Sequence, residues 1–268
     1  AASTLPWYMG GAADDSAGTT VSRGWHGWMD EVRISTVARD SNYIKLNFLT
    51  QRNDTIAGVI HPVSIGATES PAAAGPYAAW TGARTITLNT TSSGAGVSGN
   101  VLNFPVLIRL GTAEASIIAA ANNGNSIRFT KSDNTTILPY EIEHWSSNSA
   151  AIWVRVDTVY GNNATQSIRM FWGNTNATSE SNGAAVFDTT NNYVAVWHMR
   201  GTGTDTSSTA HGFVATPPND STPGSLATSA IGRGRLFSGT QYLRAIGSAG
   251  SAMNFAAESS YTFSAWVR

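Results

Sequence analysis

Apolar and polar residues alternate most clearly in the middle of the chain, from Ser126 to Trp172. Three runs there have a period of two, over Ile127 to Lys131, Ile152 to Val156 and Ile168 to Trp172. Successive side chains of a β-strand point to opposite faces, so these runs predict half-buried antiparallel strands. Clusters of Ser, Asn, Asp and Gly separate the runs and favour chain reversals. The pattern therefore predicts a β-meander.

Shorter patterns predict further strands on both sides of this region. Alternation between residues 28 and 34 predicts a strand with one largely apolar face, formed by Trp28, Asp30, Val32 and Ile34. The other predicted strands are Val59 to Ile65, Ile86 to Leu88, Phe104 to Leu110 and Tyr261 to Val267. Strands of this number, separated by turn residues, are typical of β-sandwiches.

Two segments have the spacing of short helices instead. Ser41 is predicted as the N-cap of the first helix, whose buried face should carry Tyr43, Ile44, Asn47 and Phe48. Ala113 to Ala121 forms the second, and the sequence NNGN ends it.

Both ends of the chain carry motifs of one known family. Gly24 to Ser35 reads GWHGWMDEVRIS and is followed by the first predicted helix, which resembles the carboxyl-terminal end of a laminin-G-like (concanavalin A-like) jelly roll. After His198 the phrases DTSSTAHG, GRGRLFSGTQYL and MNFAAESSYTFSAWVR resemble the beginning of such a jelly roll. The resemblance implies that the end of one module comes first in this chain and the start of another comes last.

The block from Trp80 to Val196 resembles a different family, an uncharacterised bacterial domain that commonly precedes laminin-G-like modules. The resemblance rests on the phrases WTGARTITLNTT, NFPVLIRL, SIRFTKSDNTTILPYEIEHW, WVRV, MFWGNTNATSESNGAAVFD and YVAVWHM, in that order. Members occur in large surface proteins and beside proton-channel components. The family brings no established activity to transfer.

These patterns and resemblances together predict an all-β protein of antiparallel β-sandwich or jelly-roll domains with one or two short helices. Residues 1–53 are expected to be the carboxyl-terminal part of a jelly roll, and residues 54–76, rich in Pro, Gly and Ala, a linker or connecting arm. A central β-sandwich is expected over residues 77–196. Residues 197–268 are expected to be the amino-terminal part of a jelly roll.

Composition narrows the environment and the classes of partner. Only 12% of residues are charged and the formal net charge is -1, so the chain lacks the basic excess expected of a protein that binds nucleic acid or anionic lipid. There is no cysteine, which excludes disulfides and thiol chemistry and suits a bacterial extracellular, cell-surface or periplasmic protein. No apolar run approaches the roughly 18 residues of a membrane span, so none is predicted.

Few residues have the pattern of a catalytic site. The five histidines, His26, His61, His144, His198 and His211, lack the close spacing that places two imidazoles on one metal. Glu141 and Glu143 share a strand face and could serve a glycoside hydrolase, although carboxylates on exposed strand faces are usually solvated. Motifs for nucleophilic hydrolysis, nucleotide phosphates and dinucleotides are absent from the sequence. We therefore expect a protein that is not an enzyme.

Two kinds of binding site remain. Calcium prefers oxygen ligands, and the jelly-roll resemblance implies a structural calcium ion at Asp30 and Asp205, with Asp14 and Asp15 as another candidate loop. Isolated Asp residues in loops are more often turn formers. Sugar rings stack on exposed aromatic side chains. Our candidates for a glycan-binding surface are Trp7, Tyr8, Trp25 and Trp28.

The two partial jelly rolls predict an association, because each would expose apolar inner faces and open strand edges alone. They could complete one sandwich within a chain, as a circular permutant, or between copies, head-to-tail in an open fibre. The sequence favours a non-catalytic extracellular structural module that assembles head-to-tail; a carbohydrate-binding module or adhesin is the alternative, and a glycoside hydrolase a third. The residues expected at the junction are Tyr261, Phe263, Ala265, Val267, Trp28, Val32 and Ile34.

Overall fold

The chain forms two compact units that are mostly β. The structure, a computed structural model, describes residues 7–13, 21–22, 24–52, 61–201, 205–209, 211–217, 225–245, 252–256 and 258–268. Antiparallel sheets dominate these residues and the helices among them are short, which confirms the prediction of an all-β fold. The first unit contains Ala1–Arg39 and Phe187–Arg268, and the second contains Asp40–Val186.

The elements follow in chain order. The first strands of unit one are β1 (Trp7–Met9), β2 (Ala12–Ala13), β3 (Val21–Ser22) and β4 (His26–Ser35). Unit two contains α1 (Ser41–Gln51), β5 (Val63–Glu69), β6 (Gly82–Leu88), β7 (Val101–Leu110), α2 (Ala115–Ala120), β8 (Ile127–Lys131), β9 (Tyr140–Trp145), β10 (Ala150–Val159), β11 (Gln166–Trp172) and α3 (Gly183–Val186). The remaining strands of unit one are β12 (Tyr193–Trp197), β13 (Asp205–Thr206), β14 (Val214–Thr216), β15 (Ser225–Thr228), β16 (Arg233–Ser238), β17 (Leu243–Ala245) and β18 (Thr262–Val267).

The second unit is built on two antiparallel sheets, with strand orders β7-β10-β9 and β5-β6-β11-β8. Strands are present where the sequence predicted them at Ile86 to Leu88 and at Phe104 to Leu110, but the predicted meander is wrong. The strand predicted at Val59 to Ile65 overlaps β5 only from Val63 onward, and its first residues lie outside the described ones. Strand β8 pairs with β11, with Phe129 opposite Met170, whereas β9 and β10 pair in the other sheet. A period of two requires only that a strand have one buried face. It does not specify the neighbour, so the chain can change sheets between β8 and β9.

Helix α1 differs from its prediction in both cap and face. Asp40, rather than Ser41, is the N-cap, since its Oδ1 accepts a hydrogen bond of 2.8 Å from the backbone N–H of Tyr43. Tyr43 is buried and packs edge-to-face on Phe104 of β7, at 5.2 Å between ring centroids. The predicted face is wrong for Ile44 and Phe48, which are exposed. The helix, expected to close the jelly-roll segment, lies in the second unit.

The first unit joins the two ends of the chain in one sheet. Strand β4 is its middle strand, with β18 along one edge and β16 and β12 along the other. A second sheet has the order β1-β17-β14-β13. The core of the unit draws on both sheets and includes Met9, Val32, Ile34, Trp197, Phe237 and Leu243. The two segments of the chain that resemble partial jelly rolls thus lie in one compact unit.

A β-bulge in β4 changes which residues face this core. Asp30 pairs with Trp266 and Arg33 pairs with Ser264, so one extra residue lies on β4. Glu31 in this step has φ 52°, a left-handed conformation that is unusual for a side chain other than Gly or Asn. The bulge shifts the alternation, and Met29 packs against the core together with Val32 and Ile34. The predicted face, which placed Trp28 and Asp30 with Val32 and Ile34, is wrong for Trp28 and Asp30, because both alternate with Met29 before the bulge.

None of the helices in the described ranges combines the length and apolarity needed to cross a membrane.

Candidate functional site

A cluster of buried polar side chains lies on β4 at the bulge. Asp30, Glu31 and Arg33 are charged residue types in the middle strand of a sheet, and each has less than 4% of its surface exposed. His198, one residue beyond β12, is equally buried. Burying charged groups is costly unless they are paired and hydrogen-bonded, so the geometry of the β4 cluster, as we name these four residues, decides what it can do.

Glu31 is paired on both of its carboxylate oxygens. Arg33 donates two hydrogen bonds to Oε2, of 2.7 Å from Nη2 and 3.1 Å from Nε. The Nδ1 atom of His198 is hydrogen-bonded to Oε1. Phe187 covers the group from the side, with the Arg33 guanidinium 5.0 Å from its ring centroid and the His198 ring at 5.6 Å. A residue from β4 is thereby held to a residue 167 positions later in the chain.

These partners fix the ionisation state of Glu31. Burial alone raises the pKa of this carboxyl, but the charges of His198 and Arg33 and their hydrogen bonds outweigh burial and lower its pKa to about 2. Glu31 is therefore a carboxylate at all ordinary pH values. The left-handed backbone at this position costs roughly 1–3 kcal/mol for a residue other than Gly.

Asp30, the next residue, has the opposite environment. Its Oδ2 accepts a hydrogen bond of 3.0 Å from the backbone N–H of Ile231, while its buried Oδ1 lacks a hydrogen-bond partner among the described residues. Burial is the main reason that the pKa of Asp30 rises to about 8, with the neighbouring charge of Glu31 adding to it. At neutral pH the Asp30 carboxyl holds a proton. Adjacent carboxyls with separated pKa values occur in acid–base pairs and also in structural ion-pair networks.

The calcium expectation can be tested in part against this geometry. The buried, unpartnered Oδ1 of Asp30 fits a cation ligand, because a cation would satisfy it and remove its proton. Calcium requires about six to eight oxygen ligands, so Asp30 would supply only one of them. Asp205 begins β13, but its side chain lies outside the described residues, as do Asp14 and Asp15. The calcium site therefore stays a prediction.

The predicted glycan-binding aromatics occupy different environments. Trp7 is half-buried, donates its indole N–H to the backbone oxygen of Met253 at 3.1 Å and packs edge-to-face on Phe255. Tyr8 packs in the same way on Tyr242. Two further candidates lie at the start of β4: Trp28 is half-buried, and Trp25 is 37% exposed. Trp25 thus offers the most accessible ring of the four.

The carboxylates proposed for a glycoside hydrolase are buried. Glu141 and Glu143, on β9, are 4% and 6% exposed, so the expectation that they are solvated is wrong. Glu143 Oε2 accepts a hydrogen bond of 2.6 Å from the indole N–H of Trp153, a buried residue of the neighbouring strand β10. This bond explains how an acidic residue is accommodated on that face of β9.

The histidines are dispersed, as their spacing indicated, but one of them matters. His26, His61 and His211 are exposed, and His144 lies 3.2 Å from Ser149 Oγ. His198 alone belongs to the β4 cluster, and the sequence analysis did not connect it with Glu31. Only the sequence Asp-Glu-Val-Arg, which places three charged residues inside a predicted strand, indicated that β4 carries buried polar partners.

Comparison with known protein families finds one family model that matches part of the chain. Residues 123–196 match the model of a domain of unknown function, DUF2341. The match spans β8 to β11 of the second unit and most of β12 in the first. Searches of the curated proteins and of the solved structures gave no significant match. The resemblance of the flanking segments to laminin-G-like modules therefore rests on their sequence motifs.

Proposed function

We propose that this chain is a non-catalytic structural module of a large bacterial extracellular or cell-surface protein. The observation that carries the proposal is the use of the β4 cluster: Arg33 and His198 both bond Glu31, and the bond to His198 connects β4 to the residue that follows β12. The buried charges of the β4 cluster therefore connect the two segments of the chain that form the first unit. The low content of charged residues and the absence of cysteine support an extracellular location.

Head-to-tail assembly into a surface fibre or adhesin is the second form of this proposal. In the structure β4 pairs with β16, β12 and β18 of its own chain. All of Asp40–Val186 separates β4 from these partners in sequence. The same hydrogen bonds could therefore form between neighbouring copies by exchange of the amino-terminal segment, which would build an open fibre.

A pair of engineered cysteines distinguishes pairing within a chain from exchange. Trp28 and Arg268 exchange backbone hydrogen bonds of 2.7 and 3.1 Å, so the adjacent pair, Met29 and Val267, is a non-hydrogen-bonded pair. Such pairs have Cα atoms about 4.5 Å apart, which suits a disulfide. The double variant Met29→Cys/Val267→Cys has no competing thiol, since the chain contains no cysteine.

We expect oxidised Met29→Cys/Val267→Cys to migrate as a monomer with an internal disulfide on non-reducing electrophoresis. A ladder of covalent multimers, absent from both single variants, would instead establish head-to-tail exchange. Failure to form either product, with the protein folded by circular dichroism, would refute the pairing of β4 with β18 and the proposed module with it.

Carbohydrate binding is a second candidate function, favoured by the exposure of Trp25. Cell-surface or matrix glycans would then be the partners, with Trp25 as the stacking platform. Binding on a glycan array should disappear in Trp25→Ala and persist in Trp7→Phe, which keeps an aromatic ring at a half-buried position. A separate measurement of thermal stability tests the calcium site. If a structural calcium ion binds at Asp30, added calcium should raise the Tm of the wild type but not that of Asp30→Asn.

A further inference from the structure

Strand β18 has one edge without a partner in the described part of the molecule. It pairs with β4 along its other edge, from Thr262 opposite Ser35 to Val267 opposite Met29. Large apolar side chains are exposed along this short segment: Tyr261 is 53% exposed, Phe263 50% and Val267 52%. An exposed apolar edge strand of this kind is a template for pairing with another strand.

The usual protection of an edge strand is missing here. Natural proteins discourage edge pairing with charged side chains, proline or a bulge on the edge strand. Residues 259–267 contain neither a charged residue nor proline. The bulge at this position lies on β4, so β18 keeps a regular alternation and a straight outer edge.

The alternation shows which backbone groups point outward. Arg268 exchanges its backbone hydrogen bonds with Trp28, so its N–H and C=O point toward β4. In an antiparallel ladder these directions alternate. The N–H and C=O groups of Val267, Ala265 and Phe263 therefore point away from β4 and line the outer edge.

The same three residues share one face of the sheet. Phe263 lies opposite Ile34 and Val267 opposite Met29, and side chains of directly opposed residues lie on the same face. Both Ile34 and Met29 contact the core, as does Ala265. Phe263 and Val267 thus stand on the core face at its rim, half exposed because no further strand extends the sheet there among the described residues.

We propose that β18 pairs with β18 of a second copy of this chain, antiparallel about a two-fold axis at Ala265. In this register Phe263 lies opposite the partner subunit's Val267, and Ala265 lies opposite the partner subunit's Ala265. The three outward-facing residues of each strand then form about six backbone hydrogen bonds. The two sheets become one continuous sheet across the dimer.

A second copy fits this edge because β18 is complementary to itself. Its side chains are uncharged, so no like charges meet across the axis. The large Phe263 meets the smaller Val267 twice, once on each side of the axis, and each covers the exposed part of the other. The inference rests on the completed first unit of the proposed function, but not on which chain supplies β4.

Two substitutions should prevent the pairing without disturbing the fold. Phe263→Lys places a charge on the edge, and Ala265→Pro removes an outward N–H while leaving the hydrogen bonds to β4 intact. We expect the wild type to be a dimer in sedimentation equilibrium and both variants to weaken dimerisation by roughly tenfold or more. Phe48→Lys, a change at a similarly exposed phenylalanine of α1, is the matched control and should leave the dimer unchanged.

A cysteine at the axis tests the register. Ala265→Cys should yield a single disulfide-linked dimer on oxidation, whereas Ser238→Cys, at an exposed position of β16, should not. A wild type that stays monomeric at high concentration would overturn the proposal, as would an association between copies that Phe263→Lys leaves intact. The Met29→Cys/Val267→Cys disulfide reports on the pairing of β4 with β18 and not on the outer edge of β18. An intact internal disulfide in that variant, together with a wild type that stays monomeric in sedimentation equilibrium, would reject the β18 dimer and retain the proposed module.

Discussion

Replacing Asp30 by asparagine should make the first unit more stable at high pH. In the wild type, burial raises the pKa of Asp30 from 3.8 to about 8 in the folded protein. Between these values the folded state binds more protons than the unfolded state, so stability falls as the pH rises. Asparagine is nearly isosteric, keeps the acceptor for the Ile231 N–H and never ionises.

The magnitude follows from the size of the shift. One pKa unit corresponds to about 1.4 kcal/mol, so a rise from 3.8 to about 8 sets an upper bound of about 6 kcal/mol on the stability lost at alkaline pH. Relaxation around a buried charge reduces such penalties, and we expect a loss of roughly 2–4 kcal/mol between about pH 5 and pH 8. Asp30→Asn should show almost none of this loss.

The assay is urea unfolding at several pH values in the presence of EDTA, which removes any bound calcium. Pulse-labelling hydrogen exchange of peptides from β4 and β12 separates the first unit from the second. Asp157→Asn is the control, because Asp157 is exposed beside Lys131 and should leave the pH dependence of the first unit unchanged. A wild-type stability that is flat or rises from pH 5 to pH 8 would refute the buried, protonated state of Asp30.

Two further substitutions test the buried ion pairs. Glu31→Gln should destabilise the first unit by about 3 kcal/mol in urea unfolding, because it leaves the buried Arg33 and His198 without their carboxylate partner. Glu69→Gln removes an exposed carboxylate from a pair of equal length and should cost below about 1 kcal/mol. Equal losses would show that burial of the pair is immaterial. Arg128→Met should speed proteolysis within residues 173–182, because Arg128 donates hydrogen bonds to Thr178 and Glu180 in this loop. Lys131→Met, at an exposed side chain, is the control and should leave the cleavage rate unchanged. If Arg128→Met also left it unchanged, other contacts would hold the loop.

The sequence identified strands more reliably than it identified their neighbours. Alternation located β8, β10 and β11, because one buried face is a local property of a strand. It could not show that β8 pairs with β11 while β9 crosses to the other sheet, because pairing depends on contacts between distant segments. The cap of α1 was missed by one residue because Asp40 and Ser41 are adjacent and both are good N-caps.

The polar cluster was only partly predictable. Asp30 was selected as a functional residue, and the structure gives it an unusual environment, a buried carboxyl with an unpartnered oxygen. Glu31 and His198 were not connected, because 167 positions separate them and neither lies in a recognisable motif with the other. The bulge that brings them together was also invisible, since a left-handed backbone is usually signalled by Gly or Asn rather than by Glu.

The placement of β4 also dictates the order in which the chain can fold during synthesis. The second unit is one uninterrupted stretch and can fold as soon as it has emerged, whereas β4 must wait for a strand that ends with Val267, 238 positions after its partner Met29. Contacts of such long range form slowly, and an apolar strand without its neighbours is prone to wrong pairing meanwhile. Closure of the first unit therefore has to follow the synthesis of β18, whereas the second unit can already be folded by then.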